Sequence, residues 1–227
     1  MSSASVEDYI KAIYTAHVEK GGVSTQDLSV RLRVSPPAVS KMLKRLAELR
    51  LIVHSPYQGV RLTAAGEKMA LEIIRHHRLL ERYLVEALGY EWDEVHAEAE
   101  RLEHHISEEF EERIDTLLGH PESCPHGDPI PARDGTVAEV ARRSLADVGG
   151  PAFLKIRRVR DEDAALLRHL KALGLLPGTA IEFVDREPFG GAFLVRAGGE
   201  LVRVAPQAAE QIFVTVDTPA DGETCNA

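Results

Sequence analysis

Only two of the 227 residues are cysteine, Cys124 and Cys225, which excludes a disulfide framework. No apolar run approaches the ~18–20 residues needed to span a bilayer, so no membrane partner is expected. The first residues carry Glu7 and Asp8 and no apolar signal core. Export is therefore not expected, and a cytoplasmic location is. Common catalytic signatures are missing too: there is no His-Glu-x-x-His pair, no Gly-rich phosphate loop and no nucleophile elbow. Neither an enzyme nor a small-molecule substrate is expected.

What is present is charge, unevenly spread. The formal net charge is −9. Residues 1–75 carry net +4, residues 76–120 net −9 and residues 121–227 net −4. A basic front segment can face phosphates even when the whole chain is acidic. The acidic middle holds six of the ten histidines, a composition that suits a cation site.

That site has a pattern. In His96-Ala-Glu-Ala-Glu-Arg-Leu-Glu-His-His105 there is no Gly or Pro, and a helix is expected. Positions His96, Glu100, Glu103 and His104 are spaced i, i+4, i+7, i+8, which puts them on one helix face. Imidazole and carboxylate rarely stay buried without partners, and a first-row divalent metal satisfies both. A second cluster stands at His76, His77 and Glu81, with His77 and Glu81 again four apart. The plainer reading is two solvated, charge-rich faces; two clusters on neighbouring helices favour metal. Cys124-Pro-His126 lies in an aperiodic loop and reads as loop rather than ligand pair.

Residues 5–19 read as a helix with Ser5 a candidate N-cap. Ser24–Leu32 reads as a second short helix, Arg33–Pro36 as a turn, and a third helix begins near Pro37 and runs to about Leu49. Val39, Leu43 and Leu46 are its expected inward face. Two short helices and a tight turn make a helix-turn-helix. Leu51–Ser55 and Val60–Thr63, joined through Gly59, read as a hairpin "wing". Helices are expected over 64–87 and 91–118, then a Pro/Gly/His-rich loop at His120–Arg133. Beyond about residue 150 the pattern turns to β: Ala152–Arg160, Ala180–Glu187, Ala192–Ala197, Leu201–Val204 and Ile212–Val216, with a helix over Asp163–Leu173. These strands suggest a small barrel. The expected fold is mainly α with α+β ends, divided as 1–64 winged helix-turn-helix, 65–135 helical domain, 150–217 β-barrel and 218–227 disordered tail.

The third helix and its approach carry Ser35, Pro37, Ser40, Lys41, Lys44 and Arg45, and the wing carries Arg61. Such a helix presents its N-terminal residues to base edges and later basic residues to phosphates. A double-stranded DNA operator is the expected partner. Leu79, Leu80, Leu84, Leu102, Ile106 and Phe110 offer more apolar surface than one helical hairpin can bury, which points to a homodimer.

Taken with His76-His-Arg-Leu-Leu-Glu81, Val95–His104 and Pro125-His-Gly-Asp-Pro-Ile-Pro131, the winged helix makes the chain resemble the diphtheria-toxin-repressor family over residues 5–216. The resemblance implies metal-dependent transcriptional regulation, a central dimerisation domain, and a C-terminal barrel similar to SH3 and ferrous-transport accessory domains. It implies a primary metal site of Asp8, Glu100, Glu103 and His104, and an ancillary site of His77, Glu81 and His96. Iron-type members have methionine and cysteine where Asp8 and Glu100 stand, whereas manganese-type members have oxygen donors. Mn(II) is thus the implied metal, with Fe(II) as alternative. Lys11 replaces a glutamate that helps short manganese-type members hold a second metal. No Gln is available near Arg157–Asp163 for the ancillary site, which leaves Asp161, Glu162 or Asp163.

The expectation is a homodimeric, Mn(II)-dependent DNA-binding regulator of metal-homeostasis genes whose metal sets the winged helices for operator binding. A metalloenzyme using the His/Glu cluster for hydrolysis, or a regulator with purely structural metals, are the alternatives.

Overall fold

A computed structural model describes residues 3–55 and 59–217. Residues 56–58, and residues 218–227, for which a disordered tail is expected from sequence, lie outside the described residues. The chain divides into two compact units. One holds residues 1–80, 99–120 and 130–137; the other holds 81–98, 121–129 and 138 onward.

In the first unit, α1 (Ser3–Lys20), α2 (Thr25–Arg31) and α3 (Pro36–Glu48) precede the antiparallel hairpin of β1 (Ile52–Ser55) and β2 (Gly59–Leu62). α1 begins at Ser3, so Ser5 lies inside its first turn and does not cap it. Ser24 caps α2 in a reciprocal box: Asp27 N–H donates to Ser24 Oγ at 3.0 Å, and Ser24 N–H donates to Asp27 at 3.1 Å. The turn into α3 is locked by Ser29, whose hydroxyl donates to the Val34 carbonyl at 2.6 Å. Ser35 is the N-cap position of α3 and Pro36 its first residue, where a missing N–H costs nothing. That start sets the helix phase. Val39, Met42 and Leu46 point inward, while Leu43, expected inward, is only partly buried. They pack with Ile10 and Ile13 of α1, Leu28, Ile52 and Val60. Each fully buried aliphatic side chain contributes about 1.5–3 kcal/mol. Gly66 lets α4 (Ala64–Leu88) lie on the hairpin, because a Cβ there would meet the Leu51 carbonyl oxygen at 2.1 Å.

The expected helix over 91–118 is two helices, α5 (Val95–Leu102) and α6 (Glu108–Leu117). Ser107 breaks it. Its hydroxyl accepts from Phe110 N–H at 3.2 Å, and Glu108, Glu109 and Glu111 in the new first turn favour the positive helix end. Glu103 and His104 therefore sit on a turn, not on the helix face.

The second unit is built on a five-stranded antiparallel sheet in the order β6-β5-β4-β3-β7. Its strands are β3 (Ala152–Val159), β4 (Ala180–Arg186), β5 (Phe193–Ala197), β6 (Glu200–Val204) and β7 (Ile212–Val216), with α7 (Ala164–Ala172) and a short α8 (Pro206–Ala209). Leu154 and Ile156 alternate into the core; an irregularity between Ile156 and Arg158 then shifts the phase and brings Val159 in as well. Leu167, Leu170, Ile181, Phe193 and Trp92 complete this core.

Candidate metal centre and nucleic-acid interface

In the first unit, α1, α4 and the turn after α5 converge. His104 lies between two carboxylates of α1: its Nδ1 is 2.6 Å from Glu7 Oε2, and its Nε2 is 2.7 Å from Asp8 Oδ1. Glu103 Oε1 stands 3.6 Å from the same Nε2. Asp8, Glu103 and His104 offer ligand atoms within 4.8 Å of one another. In the neutral tautomer that keeps Nδ1–H on Glu7, Nε2 carries the lone pair a cation needs, and Glu7 fixes the ring. Burial raises the Asp8 pKa, an effect partly offset by His104.

Glu100 is brought to a neighbouring group. His77, Glu100 and Glu103 also have ligand atoms within 4.8 Å of one another. His77 Nδ1 is 2.5 Å from Glu103 Oε2, and Lys11 Nζ contacts all three residues. Burial of Glu103 raises its pKa, but His77 and Lys11 outweigh that and hold it below the ordinary carboxylate range. His77, expected in the ancillary set, thus has one nitrogen on the primary group. His76 turns elsewhere. Its Nε2 is 3.0 Å from Glu111 Oε2, while its Nδ1 is 3.2 Å from the Glu103 carbonyl oxygen, so it braces the ligand turn.

The second unit holds donors of its own. His96 Nδ1 is 3.3 Å from Glu81 Oε1 and 3.4 Å from Asp161 Oδ2. Asp161 is the residue that the sequence left among three; Asp163 instead caps α7 through Ala165 and Leu166 N–H. His126, read from sequence as loop, is fully buried, with Nδ1 3.4 Å from Glu81 Oε2 and 3.8 Å from Asp161 Oδ2. Cys124 Sγ is 4.0 Å from that nitrogen, and His126 Nε2 is 2.7 Å from the Trp92 carbonyl oxygen, to which it donates. The reading of Cys124 and His126 as mere loop is corrected: Glu81, Cys124 and His126 form a buried ligand-type triad. Aperiodic sequence hid it. The loop is tied to β3 by Val159 N–H donating to the His126 carbonyl at 2.9 Å. Gly127 (φ +88°) makes that approach possible, because a Cβ there would meet the Arg157 oxygen at 2.0 Å.

Burial opposes charge on His126 and His96. Glu81 and Cys124 nevertheless push His126 up to about 12, and Asp161 and Glu81 push His96 up to about 10. Burial, with Glu81 adding, pushes the Cys124 thiol up to about 12. A coordinated cation inverts this logic, since it favours thiolate and neutral imidazole.

On the recognition side, Ser35, Pro37, Ser40, Lys41, Lys44 and Arg45 are exposed along α3, and Arg61 is exposed on β2. The dimer residues divide differently from expectation. Leu79, Leu80 and Leu84 are already buried within the chain, whereas Phe110 (41%) and Leu117 (68%) stay exposed on α6, seven residues apart. Among the described residues, no helix is long and apolar enough to cross a membrane.

Comparison with known proteins fits these features together. Residues 1–60 match the iron dependent repressor N-terminal DNA binding domain. Residues 63–132 match the metal binding and dimerisation domain of the same repressors, and residues 143–216 match the FeoA domain. The chain is similar to the iron-dependent repressor IdeR of Mycobacterium tuberculosis, 31% identical over 92% of this chain and 96% of that protein. It is 43% identical to the transcriptional regulator MntR of Escherichia coli over 46% of this chain and 66% of that protein. A solved manganese-dependent transcriptional repressor in complex with manganese superposes with a TM-score of 0.87 at 38% identity, covering 93% of this chain and 99% of the other.

Proposed function

The chain belongs to the iron-dependent repressor family of metal-dependent transcriptional repressors, and from that premise we propose that Mn(II), with Fe(II) as the alternative, controls how its winged helix holds operator DNA. It is a DNA-binding regulator and not an enzyme. The observation that carries the metal reading is the triad of Asp8, Glu103 and His104. Asp8 sits on α1, whose Ile10 and Ile13 are core residues of the winged helix. Glu103 and His104 sit on the turn between α5 and α6. A divalent ion held by the three supplies positive charge that joins these two parts.

Asp8 brings α1, Glu103 anchors the turn, and Glu7 holds the His104 ring. The donor set is oxygen-rich, with one imidazole, and suits hard divalent ions. Mn(II) lies at the weak end of the affinity series, so selection works through coordination and activation rather than raw affinity. The solved structure is described as manganese-dependent and the mycobacterial relative as iron-dependent. Oxygen donors at Asp8 and Glu103 favour Mn(II) here. Glu81, His96, Asp161, His126 and Cys124 form a candidate second site in which a sulfur and two imidazoles supply softer donors.

In the homodimer the recognition helices bearing Ser35, Pro37, Ser40, Lys41, Lys44 and Arg45 must meet major grooves about one DNA turn apart, ~34 Å. Arg61 reaches backbone or minor groove from the wing. Phosphate contacts by Lys41, Lys44, Arg45 and Arg61 make affinity fall steeply with salt. Operator binding titrated with Mn(II), and then with chelator, tests the reading. Binding should rise with Mn(II) and collapse with chelator; equal affinity in both would leave metals that are purely structural.

A further inference from the structure

Glu103 divides its carboxylate between two sets of donors. Its Oε1 faces His104 Nε2, and with Asp8 these make the first triad. Its Oε2 faces His77 Nδ1, and with Glu100 these make a second. Two triads sharing one carboxylate have donors for two cations.

The chain itself supplies one cation. Lys11 Nζ lies 2.5 Å from Glu100 Oε1, 2.8 Å and 3.0 Å from the two oxygens of Glu103, and 3.2 Å from His77 Nδ1. Those are the three members of the second triad. An ammonium is a compact point charge with three donors, which matches three neighbours. The side chain is only 17% exposed, so this is not a wandering surface lysine. A metal ion needs about 2.0–2.2 Å to oxygen or nitrogen ligands. An ion that close to Glu100, Glu103 and His77 together would collide with Nζ.

We propose that Lys11 is the second cation of this centre: its ammonium fills the His77–Glu100–Glu103 group, so that one metal ion binds beside it at Asp8, Glu103 and His104. The assignment rests on the metal reading given above. It also gives α1 a tie to α5 and its following turn that exists before metal arrives, so the metal's own contribution runs through Asp8 and His104.

The test counts bound Mn(II) by equilibrium dialysis and records its electron paramagnetic resonance, on the full chain with excess Mn(II). Two Mn(II) ions sharing Glu103 are spin-coupled, whereas an ion in a separate site is not. Wild type should show only uncoupled Mn(II). Lys11→Met, neutral and of similar length, should bind one further ion per chain and develop a coupled-pair spectrum. Lys11→Arg should keep the wild-type count. A coupled pair in wild type would overturn the assignment, and that arm decides even where Lys11→Met does not fold. A folded Lys11→Met with no added ion would overturn it too. Asp8→Asn separates the two levels: it should lose one ion. An unchanged count there would remove the metal reading itself, whereas a coupled pair in wild type removes only the role of Lys11.

Discussion

At the scale of single residues, the proposed metal centre depends on groups that would never touch the ion. Glu7 holds His104 Nδ1 at 2.6 Å, leaving Nε2 to face Asp8 and Glu103. Removal of such an orienting partner typically costs about 10–100-fold in metal affinity. Glu7→Ala should show a loss of that size in competition with a fluorescent chelator, and wild-type affinity would mean that the ring is held by packing alone. His104→Ala, which removes the sole imidazole of the triad, should abolish activation by every metal. On α3, Lys41→Ala should weaken operator binding by about 1–3 kcal/mol if it reads a base. Metal stoichiometry should be unchanged, because Lys41 stands on the exposed face of α3 and the ligands do not. Calorimetry that shows lost metal in that variant would place Lys41 wrongly.

At the scale of elements, the ligand turn is held by α4 and α6. His76 bridges the Glu103 carbonyl and Glu111, and Glu111 also accepts from Arg75 Nε at 2.6 Å. Burial raises the Glu111 pKa, but His76 and Arg75 outweigh it and bring it from 4.5 to about 2. A carboxyl lowered on folding stabilises above its unfolded value, so this contribution is whole above about 4.5 and fades as pH falls toward 2. It is worth at most about 3 kcal/mol. His76 has the opposite sign, since its pKa is raised and its contribution is lost as pH climbs through the folded value. Melting followed from pH 5 to pH 3 should fall steeply in wild type and more shallowly in Glu111→Gln; parallel curves would assign acid sensitivity elsewhere.

Elements also show what the sequence made legible. The helix-turn-helix was, because the turn at Arg33–Pro36 and a proline opening the third helix are local signals that need no tertiary context, although the helix starts at Pro36 and not at Pro37. The break at Ser107 carries no Gly or Pro; its only local signal is the N-cap run Ser107-Glu-Glu-Phe110. His96, Glu100, Glu103 and His104 read as one face, yet they serve three groups, and Glu103 and His104 lie beyond Leu102, where α5 ends. Cys124 and His126 had no periodicity to betray them; only folding onto β3 makes them neighbours of Glu81. Lys11 was visible as a departure from the manganese pattern, but its position among Glu100, Glu103 and His77 was not.

At the scale of the molecule, metal and protons compete. His96 and His126, pushed up to about 10 and about 12, and the Cys124 thiol, pushed up to about 12, all hold protons at neutral pH. Ligands must lose those protons to bind metal, so affinity at this second cluster should rise with pH, by about tenfold per pH unit for each proton displaced. Calorimetry in buffers of different ionisation enthalpy should register the protons released. A pH-independent affinity between pH 6 and pH 8 would contradict the cluster's role.

The central claim is that metal at Asp8, Glu103 and His104 governs DNA binding, and one measurement addresses it most directly. Duplexes are selected from a random pool in parallel with Mn(II) and with chelator, and the enriched duplex is titrated by fluorescence anisotropy with wild type and Asp8→Asn. One sequence should be enriched only with Mn(II), and it should be bound tightly by wild type and weakly by Asp8→Asn at the same Mn(II) concentration. The same sequence enriched in chelator, and bound equally by both proteins, would contradict it.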